Sequence, residues 1–306
     1  MPLFYHSGAL GDFLLSLPFL RALRRACGAQ SWALAVAEEH AALVQKVFPH
    51  ERRHSPGSLD FAPLFERRLD PSRVTGLLRS FGGFFGFLRR GEEIEAVARA
   101  HCPECPVVLS EPFASAVPRG KSIEYVLSGA LSRLEAGRAG PAPEEFALSA
   151  EELPALPAGA DPLEFLGSRK RGRVAILHYG ASDPAKKAPA ELYAGVARGL
   201  EARGFTVGWA RGFVEAERGE EPPFGPLLDS PSLVELAHAI SRADLYLGND
   251  TGPTHLASAL GVPTISIHGR PNPAWRPRGP RACVVGGEDG FPSAEAIWTT
   301  AMIRAE

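Results

Sequence analysis

Cysteine is scarce in this chain. Cys27, Cys102, Cys105 and Cys283 are all it has in 306 residues. Four are too few to staple a secreted chain of this length, so a disulfide scaffold is excluded as the basis of the fold. Lysine is scarce too, occurring only as Lys46, Lys121, Lys170, Lys186 and Lys187. The other basic residues are arginine, which together with the richness in Ala, Gly and Pro reads as genome composition. The formal net charge is −2, which leaves no basic field of the kind that draws nucleic acid. No apolar run approaches the roughly 18 residues needed to cross a bilayer. The opening residues show no leader pattern, and the expected compartment is the cytosol.

What remains is ordinary globular material, 45% hydrophobic and 22% charged, close to a soluble average. The length suits two domains of about 150 residues each. Residues 2–6 read as a strand, "SGALGD" as a glycine turn, and "DFLLSLPFLRALRRACG" as a helix with Leu14, Leu17, Leu20 and Leu23 on one face and Gly28 past its end. "SWALAVAEE" is a second strand, so the N-terminus is a β-α-β unit and implies a parallel sheet. A Pro-, Ala-, Gly- and Glu-rich stretch from about 137 to 172 has the composition of a linker. After it the alternation restarts: "RVAILHYG" a strand, "AELYAGVARGLEARG" a helix stopped by Gly204, "FTVGWA" a strand, "SPSLVELAHAISRA" a helix, "DLYLGND" a strand, "PTHLASAL" a short helix and "VPTISIHG" a strand. The expected architecture is α/β: two Rossmann-like doubly wound domains, 1–155 and 172–291. Residues 156–171 are the linker, and the closing helix, 292–306, is expected to pack back on the first domain.

The stretch "YLGNDTGPTHLASALGVPTISIHG", residues 246–269, carries the sharpest chemistry. In open parallel sheets, ligands bind beyond the carboxyl ends of the strands. Asp250, Thr251 and Gly252 stand at such an end. Gly252 lets a ligand approach the backbone, and Pro253 suits a first helical turn, where its missing N–H was unpaired anyway. The free N–H groups of that turn, with the helix dipole behind them, favour an anion. His255 adds a donor in the same turn. Gly261 and Pro263 mark the helix end. The plainer alternative is that Asp250 only caps the helix and His255 is a solvated surface residue.

"LVELAHAISRADLYLGNDTGPTHLASALGVPTISIHG" resembles, without a gap from Leu233 to Gly269, the signature of glycosyltransferase family 9, which includes the lipopolysaccharide heptosyltransferases. The resemblance implies the GT-B arrangement, two Rossmann-like domains facing across a cleft. It implies an inverting transfer of a heptose-like sugar from a nucleotide diphosphate donor, with ADP as the expected carrier, to a saccharide or lipid-linked acceptor, with no metal or other cofactor. "GALGDFLLSLPFLRALRR" resembles the family's opening turn and places Asp12 at the catalytic base, with Gly8 and Gly11 in the acceptor-side turn. "YGASDPAKKAPAELYAGVARGL" places Lys186 at the phosphate-contacting lysine and Ser182 in the same donor loop. "ARGFVEAER" places Glu215, with Glu217 as its alternative, at the ribose. Two departures stand out: Ala188 where the family has Trp, and His268-Gly269-Arg270-Pro271 where it has Phe-Gly-Pro-Thr. They keep open a second class, a non-catalytic or degenerate nucleotide-sugar-binding relative. In the transfer reading a base takes the acceptor's proton, fixed positive dipoles hold the leaving diphosphate, and the partners are aligned away from water. For Asp12 a helix cap is the alternative to a base.

Other segments carry weaker readings. "SGALGD" has only Gly8 and Gly11 of a dinucleotide fingerprint. "HCPEC" offers His101, Cys102 and Cys105, without the second ligand pair of a structural zinc site. "RSFGGFFGFLRR" sets four phenylalanines between arginines, which suits either contact with an anionic membrane or a core segment with solvated ends.

Overall fold

The computed structural model describes residues 1–28, 31–113, 117–118, 121–169 and 172–305. They form two compact units, Met1–Glu145 and Phe146–Glu306.

The first unit begins with β1 (Leu3–His6), α1 (Leu10–Leu15), α2 (Leu17–Cys27), β2 (Trp32–Ala35), α3 (Glu38–Leu43) and β3 (His50–His54). It continues with α4 (Pro71–Arg79), β4 (Phe84–Phe87), α5 (Gly91–His101), β5 (Val107–Ser110) and α6 (Ile123–Leu134). The strands form one sheet in the order β3-β2-β1-β4-β5, every pair parallel. A parallel sheet is covered on both faces, so its central strands need not alternate. β1 reads Leu-Phe-Tyr-His and is buried throughout. The expected single helix after the glycine turn is two. Ser16 breaks it, its hydroxyl turned back to the Phe13 carbonyl at 2.6 Å, and Pro18 sits in the first turn of the next. Gly28 ends α2 in the left-handed region, with φ 57°.

The phenylalanine segment follows the second of its two readings, a core segment with solvated ends. Phe84, Phe85 and Phe87 form β4, one of the inner strands, and are at most 2% exposed. They pack into the core, and the reading of this stretch as a membrane contact falls.

The second unit contains β6 (Arg173–His178), α7 (Ala190–Glu201), β7 (Phe205–Arg211), α8 (Phe213–Glu217), β8 (Leu227–Asp229) and α9 (Leu233–Ser241). Next come β9 (Leu245–Asn249), α10 (Gly252–Ala259), β10 (Thr264–His268), β11 (Ala282–Gly286) and α11 (Ala294–Ala305). The sheet order is β11-β10-β9-β6-β7-β8, again all parallel. α9 starts with a capping box: the Ser232 hydroxyl accepts from the Glu235 N–H at 3.3 Å, and the Glu235 carboxylate accepts from the Ser232 N–H at 2.8 Å. α10 ends in a Schellman turn. Gly261 has φ 72°, its N–H reaches the Ser258 carbonyl, and the Val262 N–H reaches that of Ala257.

Two boundaries lie elsewhere than the composition suggests. The division between units falls at Glu145/Phe146, and residues 146–169 are tied onto the second unit. The Leu148 N–H bonds the Ala259 carbonyl at 2.7 Å, His238 bonds the Pro154 carbonyl at 2.7 Å, and Leu163 and Leu166 are buried. The closing helix α11 packs on α7 within the second unit. Ile297 and Ala301 are fully buried there, and the Arg203 guanidinium lies 3.8 Å from the Trp298 ring centroid. The expectation that it returns to the first domain is therefore replaced.

In both sheets the order reverses beside the first strand of the unit: between β1 and β4, and between β6 and β9. The carboxyl ends of those strand pairs are the places where such sheets open a crevice for ligands.

Gly86 tests the first sheet. Its φ is 137°, and an added Cβ would fall 2.0 Å from the Tyr5 carbonyl oxygen on β1. Gly86→Ala is expected to cost at least about 3 kcal/mol by parting β1 from β4. Urea unfolding followed by circular dichroism measures it; a loss below about 1 kcal/mol would show that the two strands tolerate the separation.

Candidate functional site

The site in the second unit is built around a side chain that the sequence reading passed over. Asn249 ends β9 and is fully buried. Its amide donates to the carbonyls of Tyr179 and Gly180, at 2.9 and 3.0 Å, and its side-chain oxygen accepts from the Ala188 N–H at 3.1 Å. Its own carbonyl accepts from the Thr251 N–H at 2.8 Å and the Thr254 hydroxyl at 2.6 Å. One residue thus fixes both ends of the loop after β6 and the turn that starts α10. Ala188, where the family pattern has Trp, is one of its partners.

Asp250 follows and is not a cap. The N-cap of α10 is Thr251, and no side chain caps that end. The Asp250 side chain is 6% exposed and accepts from Lys186 Nζ at 2.9 Å and Asn272 Nδ2 at 2.6 Å. His255 Nε2 lies 3.7 Å from its other oxygen. Burial pushes this carboxyl upward. The contacts from His255, Lys186 and Asn272 more than offset it and hold the group well below the ordinary carboxylate range. Lys186 also donates to the Asp250 carbonyl at 3.2 Å, yet its side chain keeps 32% exposure. Its neighbour Lys187 is tied to Glu220 at 2.5 Å. The two lysines are therefore not an equivalent solvated pair: only Lys186 points to the start of α10.

Gly252 opens α10, with Pro253 next to it. His255 is buried in the first turn, not a solvated surface residue. Lys186, Asp250, Thr251, Gly252 and His255 thus meet where β6 and β9 end, at the switch point of the sheet. Arg270, one of the departures from the family pattern, reaches the same loop and donates to Asp183 at 3.1 Å. His268 is buried, held to Ser266 at 2.8 Å, and its pKa is lowered by that burial.

Glu215 and Ser182 lie to one side. Glu215 is 4% exposed, and its carboxylate accepts from the Gly212 N–H at 3.1 Å. Gly180 passes directly over it: a Cβ there would fall 2.2 Å from the Glu215 carboxyl carbon. Glu217 is exposed. Ser182 is also exposed, its carbonyl 3.4 Å from an Arg218 guanidinium nitrogen.

In the first unit Asp12 is the third residue of α1, half-buried, and the N-cap is Ala9. The cap alternative for Asp12 therefore fails. Gly11 lies inside the helix, so only Gly8 belongs to the turn. Gly8 allows a close approach: a Cβ there would meet His6 Cε1 at 2.7 Å and an Asp12 carboxylate oxygen at 3.3 Å. His6 ends β1, and its Nδ1 accepts from the Gly8 N–H at 3.1 Å. Burial, and then the nearby His40, lower its pKa to about 3, so the ring is neutral and orients the turn as an acceptor. His6 was missed, although a histidine at the last strand position before a glycine turn was the available signal.

A model of glycosyltransferase family 9 (heptosyltransferase) matches residues 136–295. The chain belongs to glycosyltransferase family 9. Among solved structures, this glycosyltransferase is similar to a family 9 glycosyl transferase of Veillonella parvula, 17% identical with a TM-score of 0.68, covering 99% of this chain and 96% of that one. It is also similar to the Escherichia coli heptosyltransferase WaaC solved with ADP, 18% identical with a TM-score of 0.61 and 99% of both chains covered. A third is the E. coli ADP-heptose lps heptosyltransferase II, 15% identical with a TM-score of 0.64, covering 99% and 98%. At these identities the likeness establishes the fold, two Rossmann-like α/β units of the GT-B type. A curated Haemophilus influenzae protein, provisionally named a glycosyltransferase, is 47% identical over 36 residues, 12% of this chain. That match spans only 10% of the relative's length.

Among the described residues no group of three or more His, Cys, Asp or Glu side chains is placed to hold a metal ion, and Cys102 is buried as a free thiol. No helix of the described residues is long and apolar enough to cross a membrane.

The Asp250 ion pair gives a pH-dependent expectation. A carboxylate with a depressed folded pKa contributes stability above its unfolded value of about 3.9 and loses it as the pH falls through the lower folded value. Asp250→Asn in this glycosyltransferase is expected to lose about 1–3 kcal/mol at pH 7. The gap to the native chain should close below about pH 4, as Asp250 takes up its proton. Thermal melts of both chains from pH 3 to 8 check this; a pH-independent gap would mean that shape, not charge, is what Asp250 contributes.

Proposed function

We propose that this chain transfers a heptose-like sugar, with inversion, from an ADP-linked donor to a hydroxyl of a saccharide or lipid-linked acceptor. The observation that carries the reading is Lys186, held by buried Asp250 beside the uncapped start of α10. An ammonium that is oriented but still partly open is suited to a leaving diphosphate. The Gly252 N–H and the dipole of α10 behind it add a fixed positive end that needs no reorganisation as the charge grows. His255 contributes a second donor. Asp250 itself repels a phosphate, so its role is to hold Lys186 and His255 in place, while the diphosphate meets the Gly252 N–H and Lys186. With positive charge supplied in this way, the proposed reaction has no need of a metal ion. Ser182 lies at the mouth of the donor loop. Glu215 serves the donor's ribose from beneath Gly180, the position where the absence of a side chain leaves it room.

In the first unit we assign the base to Asp12. It sits at that sheet's own switch point, in the first helical turn, where the dipole favours its ionised form. The neutral His6 ring fixes the turn without competing for the proton. Gly8 keeps the space above the carboxylate clear for an acceptor hydroxyl.

The assignments separate in two variants. Lys186→Ala is expected to weaken ADP binding by about 1–3 kcal/mol, as for a lost charge-assisted contact. Asp12→Asn should leave ADP affinity and the melting temperature nearly unchanged while kcat falls by about 10²–10⁴-fold. Calorimetry with ADP, thermal melts and donor turnover on the same preparations decide it. Unchanged ADP affinity in Lys186→Ala would remove the diphosphate assignment, and near-normal kcat in Asp12→Asn would remove the base. ADP binding without any turnover in the native chain would favour the non-catalytic class.

A further inference from the structure

A second concavity lies in the first unit, beside the edge strand β5, with a volume of about 830 Å³. Its wall is made by the first turn of α5, the end of β5 and one side of α6, and includes Glu92, Glu111, Tyr125, Ser128 and Ser132. Nothing in the diphosphate site or around Asp12 uses these residues.

The polarity of this wall is set by bonds already made. Arg133 and Arg138 both line it, but neither guanidinium is idle. Arg133 donates to the Glu95 carboxylate at 2.7 Å, to the Ser110 hydroxyl at 2.6 Å and to the Gly129 carbonyl at 3.3 Å. Glu95 is itself buried, 7% exposed, and also accepts from the Leu109 N–H. Arg138 donates to Glu135, Glu145 and the Gly140 carbonyl. Every nitrogen of the two guanidinium groups is therefore engaged. The hydroxyl hydrogens of Ser128 and Ser132 go to the Glu124 and Gly129 carbonyls, leaving only lone pairs toward the pocket. Glu111 spends one oxygen on the Gly91 N–H at 3.1 Å and keeps acceptor capacity, and Glu92 is exposed. Tyr125 adds a ring that is 56% exposed, with the Lys121 ammonium 5.4 Å from its centroid.

The wall is thus rich in acceptors and carboxylate charge, its two arginines are already charge-paired with Glu95, Glu135 and Glu145, and it carries one exposed aromatic surface. A ligand that fits it brings its own donors, has an apolar C–H face to lay on a ring, and carries no phosphate or carboxylate. We infer that this pocket is a saccharide subsite for a hydroxyl- or ammonium-bearing, non-anionic sugar, forming part of the acceptor's binding surface. The inference rests on the glycosyl-transfer reading given above. Ser110, Glu111 and Glu92 lie at the carboxyl ends of β5 and β4, the same edge of the sheet as Asp12. Neighbouring strands stand about 4.8 Å apart, so two strands of separation place the subsite about 10 Å, roughly two sugar units, away from β1.

The test uses the full chain and three probes: a glucosamine disaccharide, maltose and glucose 6-phosphate, followed by saturation-transfer NMR and calorimetry. Both uncharged-or-cationic sugars should bind about tenfold or more tightly than glucose 6-phosphate. Tyr125→Ala should weaken both by about tenfold. Glu111→Gln, which keeps an acceptor for the Gly91 N–H, should abolish the preference for the glucosamine disaccharide over maltose. ADP affinity, measured on the same samples, should be unchanged in both variants. Tightest binding of glucose 6-phosphate, no binding of any sugar, or sugar binding indifferent to Tyr125→Ala would overturn the inference. Loss of ADP binding in the native chain would instead strike the transfer reading, so the two failures are distinguishable.

Discussion

The Asn249 side chain closes three hydrogen bonds that the surrounding backbone would otherwise leave open. Buried carbonyls at Tyr179 and Gly180 and a buried N–H at Ala188 all find their partner in one amide. Only Asn or Gln offers donors and an acceptor together at the end of a side chain, and Asn does so at the shorter reach. A loop at the end of a parallel strand has no ladder to satisfy it, and an unpaired buried backbone group costs about 1–3 kcal/mol. Because the same residue also receives Thr251 and Thr254 on its carbonyl, the loop bearing Lys186 and the turn opening α10 are held to one common point. Everything proposed for the donor depends on that fixed distance.

On this frame the electrostatics have a definite order. A buried carboxylate is costly unless it is paired and hydrogen-bonded. Asp250 meets both conditions, and in doing so it restrains Lys186 and His255, whose positions would otherwise be set only by flexible side chains. The lysine gives up rotamer freedom in the fold, before any ligand arrives, so less remains to be lost on binding. Lys187, one residue on, pairs with Glu220 instead. The adjacent lysines are alike in charge and differ only in which carboxylate the fold brings to each.

Much of the second unit was legible in the sequence because its signals are local. Ser232 with Glu235, Gly204, and Gly261 before Pro263 each mark an element end by a bond or a backbone angle within a few residues. The cluster of Asp250, Gly252 and His255 was legible for the same reason. What escaped notice joins residues far apart in the chain: Asn249 with Tyr179 and Ala188, Asp250 with Asn272, Arg270 with Asp183. No periodicity encodes such pairs. β4 was left between two readings for a related reason. "FFGF" is too short and too uniformly apolar to show a period, and its burial on both faces follows from helices that lie elsewhere in the sequence. The Pro- and Ala-rich stretch before β6 looked like a linker by composition. Its contacts with Ala259 and His238 could not be read from composition, and they place it on the second unit.

The two units obey one topological rule and use it with different materials. Each has its sheet order reverse beside its first strand, and each puts its candidate residues at that reversal. In the second unit the proposed donor contacts are a helix start opened by a glycine and one oriented lysine, features that need particular residues at particular steps along a single turn. In the first unit the subsite we infer beside β5 rests on side chains from three separate elements. Their meaning lies in which of their donors are already spent. Arg133 in the sequence suggests an anion. Arg133 with each of its nitrogens bonded to Glu95, Ser110 or Gly129 is a wall. A positive residue near a ligand site attracts negative charge only as far as its own hydrogen bonds leave it unsatisfied, and here buried Glu95 has already decided that balance.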